Sequence, residues 1–297
     1  MPWRITDRLD EFEAAAGRFL AADPVRNTQL LTIPAALRRG GPNAFGDGPP
    51  RFGWYARSGS GPAARDVAAN VQAVFLQTPP YPVMISAAPP RSAAALAADL
   101  SGLDTPVGAV NAPARVAESF AKAWCTRTGS RPAHDLRLRL YQLEQLRDPE
   151  PAPGGSARLA AASDRDLVRR WYHAFTDELG DLTAELRQEA LVDDHIARNR
   201  VVLWEAGGEP VSLAVHAGPA SGVGRIGPVY TPPGARRKGY AGAATAAACR
   251  VVIGKGAAEV VLFTDLDNPT SNGVYQRIGF RPVEDRAVIE FAAASRH

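Results

Sequence analysis

Apolar residues in the second half of the chain follow two alternating periodicities, which predicts that strands and helices alternate. Five short apolar runs have the β-branched and aromatic composition of strands: residues 157–162, 201–206, 211–217, 225–231 and 259–265. Four longer stretches have the spacing of helices: residues 167–179, 183–199, 239–254 and 270–278. Two further strands, at 280–285 and 286–292, are predicted to close the domain.

The first half repeats this order of elements. Strands are predicted at residues 51–56, 71–77, 82–87, 107–110 and 136–142, and helices at 9–22, 27–39, 92–100 and 112–128. Between the halves lies the sequence RDPEPAPGGS, where proline, glycine and charge replace the periodic apolar residues. We therefore predict two domains of one fold, at residues 1–146 and 157–297, joined by a linker at 147–156.

Length and composition are those of a two-domain globular protein. The 297 residues are 45% apolar and 22% charged, so each half can bury its own core. No stretch approaches about 18 consecutive apolar residues, and the N-terminus lacks the apolar core of a signal peptide. We therefore expect a cytoplasmic protein without a membrane partner. The net charge of +3 is too small to indicate a nucleic-acid partner.

Neither the cysteines nor the histidines have the spacing of a metal site. Cys125 and Cys249 lie within apolar helical patterns and are predicted to be buried thiols. The five histidines are scattered along the chain, and no Ser-His-Asp or Cys-His signature is present. We therefore expect neither a metal ion nor nucleophilic hydrolysis.

The distinctive chemistry of the chain follows the strand predicted at 225–231. A Pro-Pro-Gly turn comes next, then Arg236, Arg237 and Lys238, and Gly239 opens an alanine-rich helix. Free backbone N–H groups at a helix N-terminus, with cations beside them, favour an anion. The second half is electrically balanced, with 17 basic and 17 acidic residues after position 150. This local cluster therefore fits a small phosphorylated ligand better than a polyanion.

A second element follows the strand predicted at 259–265. Asn268 is a suitable N-cap and Pro269 suits the first helical position, while Gly279 suits the end of the helix. Asn268 and Tyr275 are seven residues apart, about two helical turns. The helix therefore presents an amide and a phenol on the same side.

Together these two elements resemble the GCN5-related N-acetyltransferase (GNAT) family. The spacing Arg236-x-x-Gly239-x-Ala241 is similar to the acyl-CoA pyrophosphate loop of that family. An asparagine after the fifth strand, a tyrosine in the next helix and a final Gly-Phe are similar to its second element. The resemblance covers residues 156–292. It implies an α/β (α+β) fold of tandem GNAT-like domains, each a mixed, mostly antiparallel central sheet flanked by helices.

The resemblance also implies an activity. The chain is expected to be an acyltransferase, namely an acetyl-CoA-dependent N-acetyltransferase that acetylates a primary amine of a small molecule by direct attack in a ternary complex. The strand backbone would pair with pantetheine, and the loop amides would hold the pyrophosphate. The expected cofactor-binding residues are Val229, Tyr230, Thr231, Arg236, Arg237, Lys238, Gly239, Tyr240, Ala241, Gly242, Asn268, Ser271 and Asn272.

Tyr275 is the general acid that the resemblance implies. The ordinary pKa of a phenol, near 10, is close to that of a thiol, so Tyr275 can protonate the departing thiolate. The spacing does not fix the general base. Glu205, His216 and a relayed water are alternatives for that role.

The acceptor of the family lies against the connection between the first two helices of the domain. In this chain that connection contains Asp177, Glu178 and Asp181, and Glu185 and Glu189 follow. An acidic rim suits an amine that arrives protonated. The identity of the amine is not encoded in any pattern of the sequence.

The first half has the element order without this chemistry. After the strand predicted at 82–87 the chain passes through Ala88-Pro89-Pro90-Arg91 directly into a helix, without an Arg-x-x-Gly-x-Ala loop. The helix predicted at 112–128 contains Trp124 but no tyrosine. We therefore expect a degenerate GNAT copy that does not bind the cofactor.

Two other functions stay open. The acceptor could be a peptide or protein amine, or the chain could be a non-catalytic acyl-CoA-binding regulatory protein. Tyr275 together with Asn268 favours catalysis, because a protein that only binds acyl-CoA needs no general acid. Both a monomer and a homodimer are compatible with the sequence.

Overall fold

The computed structural model describes residues 3–46, 48–57, 67–103, 107–179 and 188–292. The chain forms two compact units. The first unit contains Met1–Leu140, Asp265–Asp267 and Glu284–His297, and the second contains Tyr141–Thr264 and Asn268–Val283. The end of the chain therefore belongs to the first unit.

The first half of the chain alternates strands and helices in the predicted order. Its elements are β1 (Arg4–Thr6), α1 (Leu9–Ala22), α2 (Thr28–Gly40), β2 (Arg51–Ala56), α3 (Val67–Asn70), β3 (Val71–Gln77), β4 (Val83–Ile85), α4 (Pro90–Ser101), β5 (Ala109–Pro113), α5 (Ala114–Thr128) and β6 (Arg131–Leu143).

The second half has the same order. Its elements are β7 (Ser156–Leu159), α6 (Arg165–Leu179), α7 (Gln188–Ala197), β8 (Val201–Ala206), β9 (Glu209–Ala220), β10 (Val223–Tyr230), α8 (Tyr240–Gly254), β11 (Glu259–Asp265), α9 (Pro269–Arg277) and β12 (Phe280–Ala292). A short 3₁₀ turn, Pro233–Ala235, lies between β10 and α8.

The sheet of the first unit has the order β1-β2-β3-β4-β5-β12. Strands β4 and β5 are parallel, and the other neighbours are antiparallel. Alternate side chains of the strands enter two cores. Phe75 packs with Leu96 of α4 and Phe120 of α5, whereas Phe52 packs with Phe12 of α1. Helices therefore cover both faces of this sheet.

In the second unit the strand order is β11-β10-β9-β8-β7. Strands β10 and β11 are parallel, and the remaining pairs are antiparallel. Ala244 of α8 shares one core with Ile226 and Leu262, while Val168 of α6 shares the other with Leu213. The alanine-rich face of α8 lets that helix approach the sheet closely. The predicted fold class, with mixed and mostly antiparallel sheets flanked by helices, is confirmed.

The prediction of two closing strands, at 280–285 and 286–292, is wrong. Residues 280–292 form one strand, β12. The polar run Glu284-Asp285-Arg286 lies at the boundary between the two predicted strands, and each of its charges has a partner within the sheet. Asp285 accepts from Arg139 of β6 at 2.6 Å, and Arg286 is buried and donates to Glu284 at 3.1 Å. Because these charges are paired, the strand continues.

Two short elements, β1 and α3, were not predicted. Three and four residues are too few to establish a periodicity. The helix predicted at 183–199 is described from Gln188 onward as α7, and residues 180–187 lie outside the described part of the chain. The division into domains at 147–156 stays a prediction. The compact units place residues 141–146 in the second unit and Glu284–His297 in the first.

Gly279, at the end of α9, is the glycine whose replacement we expect to cost most. Its φ angle is +107°, and a Cβ atom there would overlap the carbonyl oxygen of Gln145. Because that neighbour is backbone, it cannot move aside cheaply. We expect Gly279→Ala to lower the free energy of unfolding by about 2 kcal/mol or more. The shift of the urea denaturation midpoint measures this loss.

Gly254→Ala is the matched control for that substitution. Gly254 is the last residue of α8, and no heavy atom lies within 4 Å of the position of an added Cβ. Its denaturation midpoint should stay the same or rise slightly, since alanine favours helix. Equal midpoints for the two variants would show that the segment at Gln145 can move away from Gly279.

Candidate functional site

Strands β10 and β11 separate before either of them ends. Their parallel pairing stops at Ile226 with Leu262, yet β10 continues to Tyr230 and β11 to Asp265. On its other side β10 stays paired with β9, across a register shift between Ile226 and Val229. The backbone of β10 beyond Ile226 therefore has no partner from β11. An extended ligand can pair with such an edge as an added strand would.

The loop after β10 gathers unpaired backbone amides. Arg237 and Gly239 have left-handed φ angles of +61° and +82°. Among the described residues, none accepts a hydrogen bond from the backbone N–H groups of residues 237–242. A non-glycine residue with positive φ is uncommon and clusters at functional loops. The positive end of the α8 dipole lies at the same point, so the loop is suited to bind an anion.

The guanidinium of Arg236 has partners other than these amides. Its Nε donates to the carbonyl of Thr231 at 2.8 Å, and its Nη2 donates to the carboxylate of Glu178, near the end of α6. The guanidinium also lies 5.8 Å from the ring centroid of Tyr230. Arg237 and Lys238 are exposed and form no ion pair with a described residue. These two residues are therefore the cations available to an anion at the loop.

The segment before β7 packs against the start of α8. A Cβ added to Gly239 would lie 3.5 Å from Pro153, and one added to Gly242 would lie 3.4 Å from Pro149. Trp204 donates from its indole nitrogen to the carbonyl of Gly154 at 3.2 Å. This part of the predicted linker therefore forms one wall beside the loop.

Tyr275 is buried where α9 meets α8. Its ring packs edge-on against Phe280, with centroids 6.2 Å apart. Its hydroxyl forms no hydrogen bond with a described residue. Burial raises the pKa of Tyr275, and the neighbouring Cys249 acts in the same direction. The phenol is therefore protonated at neutral pH and has a proton to donate.

The other residues of the second element form a hydrogen-bond network. The side chain of Asn268 caps α9 by accepting from the amide of Ser271 at 3.0 Å. Asn272 donates from Nδ2 to the carbonyl of Asn268 at 2.8 Å and accepts at Oδ1 from the hydroxyl of Tyr141, also at 2.8 Å. Gln276 donates to the same hydroxyl at 3.0 Å. Tyr141 and Gln276 were missed by sequence reasoning, since Tyr141 lies on a strand 127 residues before Asn268.

Glu205, a candidate base, is held in an ion pair at the edge of the sheet. Arg158 of β7 donates to its carboxylate at 2.6 Å and binds Asp164 as well. Both acids hold the pKa of Arg158 above its ordinary value, with the Asp164 hydrogen bond the largest cause. Because the carboxylate of Glu205 is bound to Arg158 in this geometry, its role as the general base stays a prediction.

His216, the other candidate base, is buried at the far end of α8. Its Nε2 donates to the carbonyl of Asn199 at 3.1 Å and lies 3.5 Å from Nζ of Lys255, the residue after α8. Burial and then Lys255 lower its pKa to about 4. The 15 residues of α8 place Lys255 about 22 Å from the loop at the helix start. His216 therefore has the surroundings of a structural histidine, and its role as base stays a prediction.

The acidic rim predicted for the acceptor is described only in part. Asp177 and Glu178 are exposed near the end of α6, and Glu178 is paired with Arg236. Asp181 and Glu185 lie outside the described residues, and the side chain of Glu189 is not described.

The start of α4, the corresponding region of the first unit, offers fewer free backbone N–H donors than the start of α8. The helix after β4 begins with Pro89 and Pro90, which have no N–H, and the amide of Ser92 is already bonded to the carbonyl of Pro89 at 2.9 Å. Where the pairing of β4 with β5 ends, the buried guanidinium of Arg286 lies 3.4 Å from the carbonyl of Ile85. A side chain therefore occupies the gap that stays open between β10 and β11.

Neither a membrane-spanning helix nor a metal-binding cluster occurs among the described residues. None of the helices there is both long and apolar enough to cross a membrane. In the same part of the chain no three His, Cys, Asp or Glu side chains are grouped so that they could hold a metal ion.

Comparison with known proteins identifies the fold. The model of the Acetyltransferase (GNAT) family matches residues 165–280. An acetyltransferase of the GNAT family from Colwellia psychrerythraea is similar over 98% of this chain and 100% of its own, with a TM-score of 0.60 at 10% identity. A GCN5-related N-acetyltransferase from Sphaerobacter thermophilus is similar over 97% of this chain and 94% of its own, with a TM-score of 0.58 at 16% identity.

A protein from Drosophila is similar over 99% of both chains, with a TM-score of 0.66 at 14% identity. At these identities the structural likeness establishes the fold alone. No curated protein matches the chain in sequence. The second half therefore contains a GNAT domain, at residues 165–280, and both halves have the GNAT-like fold, as the resemblance implied.

Two buried histidines make the stability of the fold depend on pH. Burial lowers the pKa of both His195 and His216 to about 4, whereas an unfolded histidine has a pKa near 6.5. Between these values the unfolded chain binds protons that the native state does not. The free energy of unfolding should therefore fall as the pH is lowered from about 6.5 toward 4, by up to about 1.4 kcal/mol per pH unit for each histidine.

Urea denaturation between pH 7.5 and 5 measures this slope. His216→Gln removes one of the two groups, so its slope should be smaller than that of the wild type. Identical slopes would mean that His216 binds its proton in the native state as readily as in the unfolded chain.

Proposed function

We propose that the protein is an acetyl-CoA-dependent N-acetyltransferase that acts on a primary amine of a small molecule. The observation that carries the proposal is the row of unpaired amides at residues 237–242, next to the open edge of β10. Free backbone donors gathered at one helix start suit a pyrophosphate.

The described residues fit the parts of acetyl-CoA in order along the chain. The backbone of Val229 and Thr231 lies beyond the last residue pair between β10 and β11, and it would exchange hydrogen bonds with the pantetheine amides. The amides from Arg237 to Gly242, with the charges of Arg237 and Lys238, would hold the pyrophosphate. Arg236 would contribute by fixing the loop, since its guanidinium is bound to Thr231 and Glu178.

The proposed chemistry is acyl transfer from sulfur to nitrogen. The amine nitrogen attacks the acetyl carbonyl carbon, the carbon–sulfur bond breaks, and Tyr275 gives its proton to the departing thiolate. Solvent then returns a proton to Tyr275. The amine loses a proton to a base, and a water relay is the alternative favoured by the positions of Glu205 and His216.

The class of acceptor rests on charge at the end of α6. Asp177 is exposed there and attracts a protonated amine, whereas the exposed carboxylate of Glu178 is paired with Arg236. A peptide or protein amine is the alternative acceptor. A regulatory protein that only binds acyl-CoA is the alternative without turnover, and the unbonded hydroxyl of Tyr275 argues against it.

The cofactor assignment predicts one acetyl-CoA site per chain. Calorimetric titration should saturate at one equivalent, because the first unit has prolines and Arg286 where the second has free amides and an open edge. Gly239→Ala forces alanine into φ near +82° and should reorient the loop amides. We expect acetyl-CoA affinity to fall by about 10-fold or more, which is about 1.4 kcal/mol.

Gly234→Ala is the control within the same loop. Gly234 lies in the 3₁₀ turn, and no heavy atom lies within 4 Å of an added Cβ. The acetyl-CoA affinity of Gly234→Ala should match that of the wild type. Circular dichroism should show that Gly234→Ala and Gly239→Ala are both folded. A second equivalent of bound acetyl-CoA, or wild-type affinity in folded Gly239→Ala, would contradict the assignment.

The catalytic assignment predicts the effect of removing one hydroxyl. Tyr275→Phe should leave acetyl-CoA affinity nearly unchanged, because the hydroxyl has no partner among the described residues. Turnover should drop by about 10²-fold, as for loss of a general acid. The measurement is thiol release from acetyl-CoA with a panel of small amines, and with peptides as the comparison.

The panel also separates the alternatives. Turnover with peptides but not with small amines would change the acceptor class. Binding of acetyl-CoA with no turnover on any amine would favour the regulatory protein. Wild-type turnover in Tyr275→Phe would mean that water or another group protonates the thiolate.

A further inference from the structure

Tyr141 contacts the helix that carries Tyr275 at two points. Its side chain is fully buried, and its hydroxyl donates to Asn272 at 2.8 Å and accepts from Gln276 at 3.0 Å. Asn272 and Gln276 are four residues apart, so they lie about one turn apart on the same face of α9, and Tyr275 lies between them in sequence. One phenol therefore bridges successive turns of α9.

Few side chains of α9 are buried. Of its nine residues, Tyr275 alone is buried. A helix of this length is not stable by itself and takes its orientation from tertiary contacts. Half-buried Val274 and buried Ile278, the residue after α9, pack against the same cluster as Tyr275. The two hydrogen bonds that Tyr141, on β6, forms with Asn272 and Gln276 fix the rotation of α9 about its axis.

We propose that Tyr141 is a positioning residue for the reaction. It acts through Asn272 and Gln276 to hold α9 in the rotation at which the hydroxyl of Tyr275 reaches the departing thiolate. The inference rests on the proposed function, since it needs Tyr275 to be the acid. Both Tyr141 and Tyr275 belong to one buried cluster of the second unit, which includes the α8 residues beside Tyr275.

Tyr141→Phe tests the inference, because it removes the hydroxyl and keeps the buried ring. Turnover should fall by about 10-fold, as expected when a reacting group is displaced slightly. Acetyl-CoA affinity should stay within about 3-fold of the wild type, since the loop amides are untouched. Amide hydrogen exchange within α9 should become faster.

The matched control is Tyr172→Phe. Tyr172 is a buried tyrosine of the same unit whose hydroxyl has one partner, the buried His195, with Nδ1 2.7 Å away. This variant loses a comparable hydrogen bond on the opposite face of the sheet. It should lower stability without changing exchange in α9.

A double-mutant cycle separates positioning from general destabilisation. In the Tyr275→Phe background, Tyr141→Phe should lower turnover by less than about 2-fold, because the group that it positions is gone. A merely structural role would give the full 10-fold loss in both backgrounds, and that result would overturn the inference. Unchanged exchange in α9 of Tyr141→Phe would overturn it as well.

The exchange measurement needs no turnover, so it distinguishes the two failures. Faster exchange in α9 with a fully active Tyr275→Phe would show that the proposed general acid is wrong, although Tyr141 does hold the helix. Slow exchange with an impaired Tyr275→Phe would leave the proposed function standing and remove Tyr141 from it.

Discussion

The candidate site of the second unit depends on the point at which β10 and β11 stop pairing. Four register pairs join the strands from Val223 to Ile226, and beyond that point each runs on without the other. Parallel strands leave one edge of backbone donors and acceptors free when they separate. The same point in the chain then enters a loop with two left-handed residues and a helix start. A strand edge and a row of helix amides thus follow each other, and an extended, phosphorylated ligand fits both.

The first unit has the same topology and a different chemistry at the equivalent place. Two prolines at the start of α4 remove donors, and the guanidinium of Arg286 reaches the end of β4. Because the fold itself is satisfied by apolar packing, it tolerates both versions of the loop. This contrast explains how one architecture can present free backbone donors at this place in one half of a chain and fewer in the other.

Much of the fold and part of the candidate site could be predicted from the sequence. Periodicity identified the longer elements, and the Arg236-x-x-Gly239 spacing located the loop whose amides are unpaired. Residue type alone could not reveal that Arg236 is bound to Glu178, because the two are 58 residues apart. Tyr141 was missed for the same physical reason, since a hydrogen bond across 131 residues leaves no local pattern. The closing strands were predicted wrongly because the sequence does not show that ion pairs within the sheet satisfy the charges at their boundary.

Cofactor and acceptor are encoded differently in this chain, and that difference decides what can be inferred. The cofactor is proposed to be held by backbone groups, whose positions follow from strand ends, glycines and helix starts that a sequence displays. An acceptor amine is recognised by side chains, and a base must lie within hydrogen-bond reach of it. Glu205 and His216 have suitable side chains, but Glu205 is bound to Arg158 and His216 is buried near the far end of α8, so the role of either as base stays a prediction. Side-chain chemistry therefore nominates candidates for a base, while tertiary contacts decide which of them are free to act.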